Sequence, residues 1–152
     1  MILIAIAVVI AALVNRSRNR RHAWQQQAAG VVRDATALTD LGASGPATPD
    51  PEQQIAHWST LEQRTTALLA SVAAASEAAP DDLSREALTV VDTAARAYLG
   101  AVQTTRQLHV GPPAPTAEQL QFADADRAQR LANLHAATDQ LVRVTDPTAA
   151  PS

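Results

Sequence analysis

At 152 residues the chain has room for one ordinary domain and an appendage. It is 47% hydrophobic but only 3% aromatic and has no cysteine, which excludes disulfides, thiolate metal sites and cysteine nucleophiles. The net charge of −3 is unevenly spread: four of twelve basic residues lie within 1–22 beside no acid, and the other eight face fifteen acids, leaving the rest at −7. A nucleic-acid binder gathers basic residues on its folded part, so nucleic acid is not an expected partner.

The chain opens with "MILIAIAVVIAALV", residues 1–14, which contain no polar side chain. A bilayer core needs roughly 20 helical residues, and this run covers about 21 Å. A secretory signal peptide would carry its positive charges before the apolar run and a small-residue cleavage site after it. Here the charges follow, as Arg16, Arg18, Arg20 and Arg21. A soluble core helix is seldom apolar all round and then met by four arginines. A short transmembrane anchor is the expected reading, with the mismatch met by bilayer thinning and by snorkelling of Arg16 and Arg18. Each arginine costs about 2.5–3.5 kcal/mol at the bilayer centre, so the span cannot extend beyond them. Basic residues flanking a span stay in the cytoplasm, which predicts the N-terminus outside and the remainder of the chain inside. The same four arginines would then face anionic lipid headgroups, worth about 1 kcal/mol each near the surface.

Beyond the anchor and its basic flank (1–22), three Pro/Gly-containing interruptions at 42–50, 80–82 and 109–115 divide the chain into four segments. Each segment has helical periodicity and no strand-like alternation. Trp24, Ala28, Val31, Ala35 and Leu38 form the first apolar stripe; Ile55, Trp58, Leu61, Thr65, Leu68, Val72 and Ala75 form the second. The third runs through Leu83, Ala87, Val91, Ala94, Tyr98, Val102 and Thr105. The fourth runs through Leu131, Leu134, Thr138, Leu141 and Val144, reaching back less cleanly to Leu120. Asp50 before Pro51 reads as an N-cap with proline at the first helical position, and Thr116 with Gln119 as a capping box. Asp81 and Asp82 suit the positive end of a helix, and Gly42 is the expected stop of the first. Four amphipathic helices on short connections predict an all-α, antiparallel up-down-up-down four-helix bundle over 23–145. The first helix would be near 20 residues, unless it runs on from the anchor as one rod. The tail, 146–152, is expected to be disordered.

The polar residues present no catalytic constellation. His22, His57, His109 and His135 lack metal-site partners, and no Glu-x-x-His pair of the kind found in di-iron bundles occurs. In "FADADR" (122–127), Asp124 and Asp126 stand two apart on a predicted helix and point to different faces, which reads as a solvated acidic surface. "PPAP" (112–115) is a minimal Pro-x-x-Pro string, more simply a rigid inter-helix loop. No phosphate cradle or nucleophile elbow is present. No metal, cofactor or catalytic residue is expected. Trp24 and Trp58 fall on predicted core faces and read as core fillers; the alternative is a partner-binding groove at the membrane-proximal end.

The order of a short anchor, then "RSRNRRHAW", then "HWSTLEQRTTALLASVAAASEAAPDD" resembles a loose group of small single-pass membrane proteins of actinobacteria that have no assigned activity. The resemblance covers the anchor and the first half of the bundle and implies architecture alone. The bundle is also similar to the four-helix sensor domain of chemoreceptors, but that domain lies outside the cell between two spans, whereas this chain has one span and the opposite charge order. The expectation is a membrane-tethered, non-enzymatic interaction or scaffold module with an unidentified protein partner. The alternatives are an extracytoplasmic domain binding a ligand or envelope partner, and an accessory subunit of a larger membrane complex.

Overall fold

The computed structural model describes residues 2–45, 50–110 and 114–146, with side chains from residue 19 onward, Pro51 apart. Among these residues there are four α-helices and no strand: α1 (Ile2–Ser44), α2 (Pro51–Glu77), α3 (Asp82–Val110) and α4 (Ala117–Thr145). Each helix packs against its two neighbours in a closed ring, α1 on α2, α2 on α3, α3 on α4 and α4 back on α1. Short connections between long amphipathic helices lead to this arrangement, because each helix can bury its stripe only by folding back on the last.

The helix ends follow local chemistry. Asp50 caps α2 by accepting a hydrogen bond from the Glu52 N–H at 3.1 Å, and Pro51 takes the first turn, where its missing N–H costs nothing. The Thr116 hydroxyl accepts from the Gln119 N–H at 3.2 Å, and the Gln119 side chain accepts from the Thr116 N–H at 2.9 Å. Both halves of the capping box are therefore present at α4. At α3 the carboxylate of Asp81 accepts from the Ser84 N–H at 2.8 Å.

The four stripes converge on one core. Trp24, Val31, Leu38, Leu61, Leu68, Val91, Tyr98, Leu134 and Leu141 are all buried in it. A fully buried Leu or Val contributes about 1.5–3 kcal/mol, so this set supplies most of the drive to pair the helices. Thr65, Thr105 and Thr138 interrupt the stripes yet are buried, because each hydroxyl donates to the carbonyl four residues back, at 2.7, 3.0 and 2.8 Å.

Several expectations are corrected in detail. α1 is one helix of 43 residues, about 65 Å long, so of the two lengths expected for the first helix the continuous rod is the one observed. It ends at Ser44 with Gly45 at φ +63°, so Gly45 supplies the left-handed residue that Gly42 was expected to supply. Leu83 is exposed, and Ser84, whose N–H donates to Asp81, is buried in its place. Ile55 also lies outside the core, while Ala95 rather than Ala94 is fully buried. The apolar side chains of 2–14, on which the anchor expectation rests, lie outside the described residues. So do most of the 146–152 tail and the first two prolines of "PPAP". Among the described residues no helix is long and apolar enough to cross a membrane.

Candidate functional site

The basic cluster sits where α1 enters the bundle. The side chains of Arg16 and Arg18 lie outside the described residues; Arg20 and Arg21 are exposed. Arg21 Nη2 lies 3.7 Å from Asp81 Oδ2 in the turn between α2 and α3. The pair is solvated and contributes little to stability. The hydrogen bonds from Ser84 hold the Asp81 carboxyl below its ordinary range, with Arg21 and Arg85 adding to the effect. Asp81 thus caps α3 and stands beside the basic flank.

The two tryptophans are not brought together. Trp24 lies one turn beyond Arg21 on α1, whereas Trp58 packs at the other end of the bundle. Trp24 and Gly42 are separated by about 27 Å along α1, and Arg127 contacts both Gly42 and Trp58. Both indoles are buried and fill opposite ends of the core. They do not line one groove.

Around Trp58 the helices assemble a polar cluster that sequence reasoning did not anticipate. The guanidinium carbon of Arg127, on α4, lies 5.1 Å from the Trp58 ring centroid. Its Nη1 donates to the Gly42 carbonyl at 3.0 Å, and its Nη2 stands 3.6 Å from Asp124. Only 14% of the Arg127 side chain is exposed. His57 meets the Trp58 ring edge-on at 5.2 Å, and His109 approaches at 5.9 Å from the end of α3. Glu62 and Arg106 join α2 to α3 nearby at 2.7 Å. Burial lowers the His57 pKa, and the Arg127 charge lowers it further. Burial likewise pushes the Tyr98 phenol up, while Arg127 opposes that shift.

This end of the core is polar. His57 Nε2, Trp58 Nε1, Tyr98 Oη and Arg127 Nε are buried and make no aligned hydrogen bond within the chain. Arg127 is close enough to influence the Tyr98 hydroxyl electrostatically, yet the two are not aligned as donor and acceptor. The remaining histidines are locally engaged or exposed: the His109 ring is 2.8 Å from the Thr105 carbonyl, His135 faces Asp139 at 3.7 Å, and His22 is exposed. Asp124 and Asp126 each pair with an arginine, Arg127 and Arg130. Among the described residues no group of three or more His, Asp or Glu side chains could hold a metal ion.

Arg127 could have been singled out from the sequence as the one basic residue of "FADADR", but only the fold shows that it turns inward. What the arrangement does chemically is clamp: one guanidinium joins the end of α1, the start of α2 and α4. No protein-family model, curated protein or solved structure matches the chain.

Proposed function

We propose that the chain is a membrane-tethered, non-enzymatic interaction or scaffold module whose helical bundle faces the cytoplasm. The observation that carries this reading is the order of charge along the chain: fourteen apolar residues, then Arg16, Arg18, Arg20 and Arg21, with α1 running from Ile2 through them into the bundle core. Positive charge flanking an apolar segment favours the cytoplasmic side, and anionic headgroups would add to the retention of that flank. A rigid helical link between bilayer and bundle suits a module that holds a protein partner at a fixed height. The resemblance to small actinobacterial membrane proteins agrees in architecture and adds no activity.

Topology reporters test the reading directly. With fusions at the C-terminus, a fluorescent protein is expected to glow and an alkaline phosphatase to stay silent. Neutralising the four arginines together should weaken that bias more than neutralising Arg33 or Arg64, which lie further into the bundle. An active phosphatase fusion on the intact chain would place the bundle outside and promote the extracytoplasmic binding reading. Recovery of the untagged chain in the soluble fraction of lysed cells would remove the tether altogether.

A further inference from the structure

The last turns of α3 and the first turns of α4 border an open groove of about 370 Å³. Ala101, Leu108 and Ala123 give it an apolar wall. Along α4, Glu118, Phe122 and Asp126 follow one another at four-residue intervals. That spacing sets a carboxylate, a phenyl ring and a second carboxylate in one column, with about 6 Å between successive levels. Phe122 is 77% exposed, so its ring is open to a guest.

We propose that this groove binds a small organic cation with an apolar body, an alkyl- or arylalkylammonium, whose charge sits between Phe122 and Glu118. The charged side chains of the lining, Glu118 and Asp126, are both acidic. Asp126 is answered by Arg130, which donates to its Oδ1 at 3.1 Å, whereas Glu118 meets no basic group among the described residues. An acid in the first turn suits the helix dipole, but the dipole is a partial charge and leaves the carboxylate net negative. The neutral polar groups add to the same preference. Thr104 donates its hydroxyl proton to the Gly100 carbonyl at 3.0 Å and so offers the groove lone pairs alone. Gln119 accepts the Thr116 N–H at 2.9 Å and keeps its amide NH2 as a donor. Acceptors and negative charge outweigh that donor, and an anion would meet Glu118 unopposed.

The Phe122 ring and the Glu118 carboxylate attract the same charge, one through its quadrupole and the other directly. Hydrocarbon attached to that charge can lie on Ala101, Leu108 and Ala123. The groove is at the small end of ligand clefts, which run about 300–1,000 Å³, so the guest is a small molecule of about ten heavy atoms. Both contacts are solvated, which makes binding weak and reversible. The site belongs to the bundle and its chemistry is the same on either side of a membrane. Failure of the topology reporters therefore leaves it untouched, and the two readings fail separately.

The test is methyl NMR of the full chain in maltoside micelles, titrated with three probes that share one body: phenylbutylammonium, phenylbutanol and phenylbutyrate. The ammonium is expected to shift the Ala101, Leu108 and Ala123 methyl signals saturably, the alcohol to bind more weakly, and the carboxylate weakest of all. This order is read on the parent chain and needs no variant. Glu118→Gln should weaken the ammonium about threefold, the scale of one exposed ion pair, and leave the alcohol unchanged. Phe122→Ser should weaken both probes. Glu86→Gln makes the same change of charge at an exposed site about 22 Å along α3 from Ala101 and should alter neither. Far-ultraviolet circular dichroism establishes that each variant remains helical. Absence of a saturable shift at these methyls would overturn the proposal. So would an alcohol or carboxylate that binds as tightly as the ammonium, since the groove would then be apolar without a preference for charge. A Glu118→Gln chain indistinguishable from Glu86→Gln would remove the carboxylate from the site and overturn it equally.

Discussion

Gly42 and Tyr98 approach so closely that a Cβ added at Gly42 would stand 2.5 Å from the Tyr98 hydroxyl oxygen and 3.1 Å from the methyl groups of Leu131. Gly42 is helical and buried, so the missing side chain, rather than backbone freedom, is what the position requires. Gly42→Ala is expected to destabilise the bundle by about 1–3 kcal/mol, the usual cost of overpacking. Tyr98→Phe removes the oxygen that collides, and that oxygen makes no aligned hydrogen bond. Gly42→Ala should therefore cost much less in the Tyr98→Phe background. Denaturant melts of the four chains form a double-mutant cycle, and additive costs would show that the two residues do not meet.

Arg127 holds three helices by one group, through the Trp58 ring, the Gly42 carbonyl and its own place on α4. A cation–π contact is worth about 0.5–2 kcal/mol and a charged hydrogen bond about 1.5–3 kcal/mol. Arg127→Met should cost about 2 kcal/mol overall, less than the sum because it also relieves the burial of a charge. Arg127→Lys should recover little of that, since an ammonium cannot stack on the ring and reach the carbonyl together. In a Trp24→Phe background the remaining indole reports the site: Arg127→Met should shift the Trp58 emission, and an unchanged spectrum would remove the stacking contact from the account.

The features legible in the sequence were those governed by short-range chemistry. The caps at Asp50 and Thr116 and most stripe positions could be read because capping and helical period depend on residues within a few positions of one another. The exceptions have long-range causes. Gly42 resembles a helix stop in sequence but is kept small by Tyr98, 56 residues away. Arg127 resembles one member of a solvated charged face until the end of α1 is packed beside it. Trp24 and Trp58 share a character but not a location, because antiparallel folding sends the start of α2 to the end of α1. Leu83 sits on an expected stripe but is left outside, while Ser84 is buried ahead of Ala87 at the start of α3.

His57 predicts a pH dependence with a definite sign. Its folded pKa lies below the ordinary 6.5 because of burial and then Arg127, so the folded state favours the neutral ring. Above pH 6.5 both folded and unfolded chains carry it neutral and it adds no slope. As pH falls below 6.5 the unfolded chain takes up the proton first, and stability declines until the folded ring is also protonated. Melts between pH 8 and pH 5 should therefore show a fall that is smaller in His57→Gln than in the parent chain. Equal slopes in the two chains would mean that the ring is solvated when folded.

Two leucines separate the observed core from the pattern in the sequence. Leu83 and Leu134 both belong to expected stripes, but Leu83 is 64% exposed and Leu134 is fully buried between its neighbours. Leu134→Asp would place an unpaired carboxylate in the core, and such changes cost about 4 kcal/mol or more, a large part of the stability of a domain this size. Leu83→Asp should be within about 0.5 kcal/mol of the parent, because a solvated acid near the start of α3 also faces the positive end of that helix. Thermal melts followed by circular dichroism at 222 nm compare the two variants directly. A severe loss for Leu83→Asp would return that residue to the core and rotate the start of α3, while an unaffected Leu134→Asp would overturn the inward face of α4.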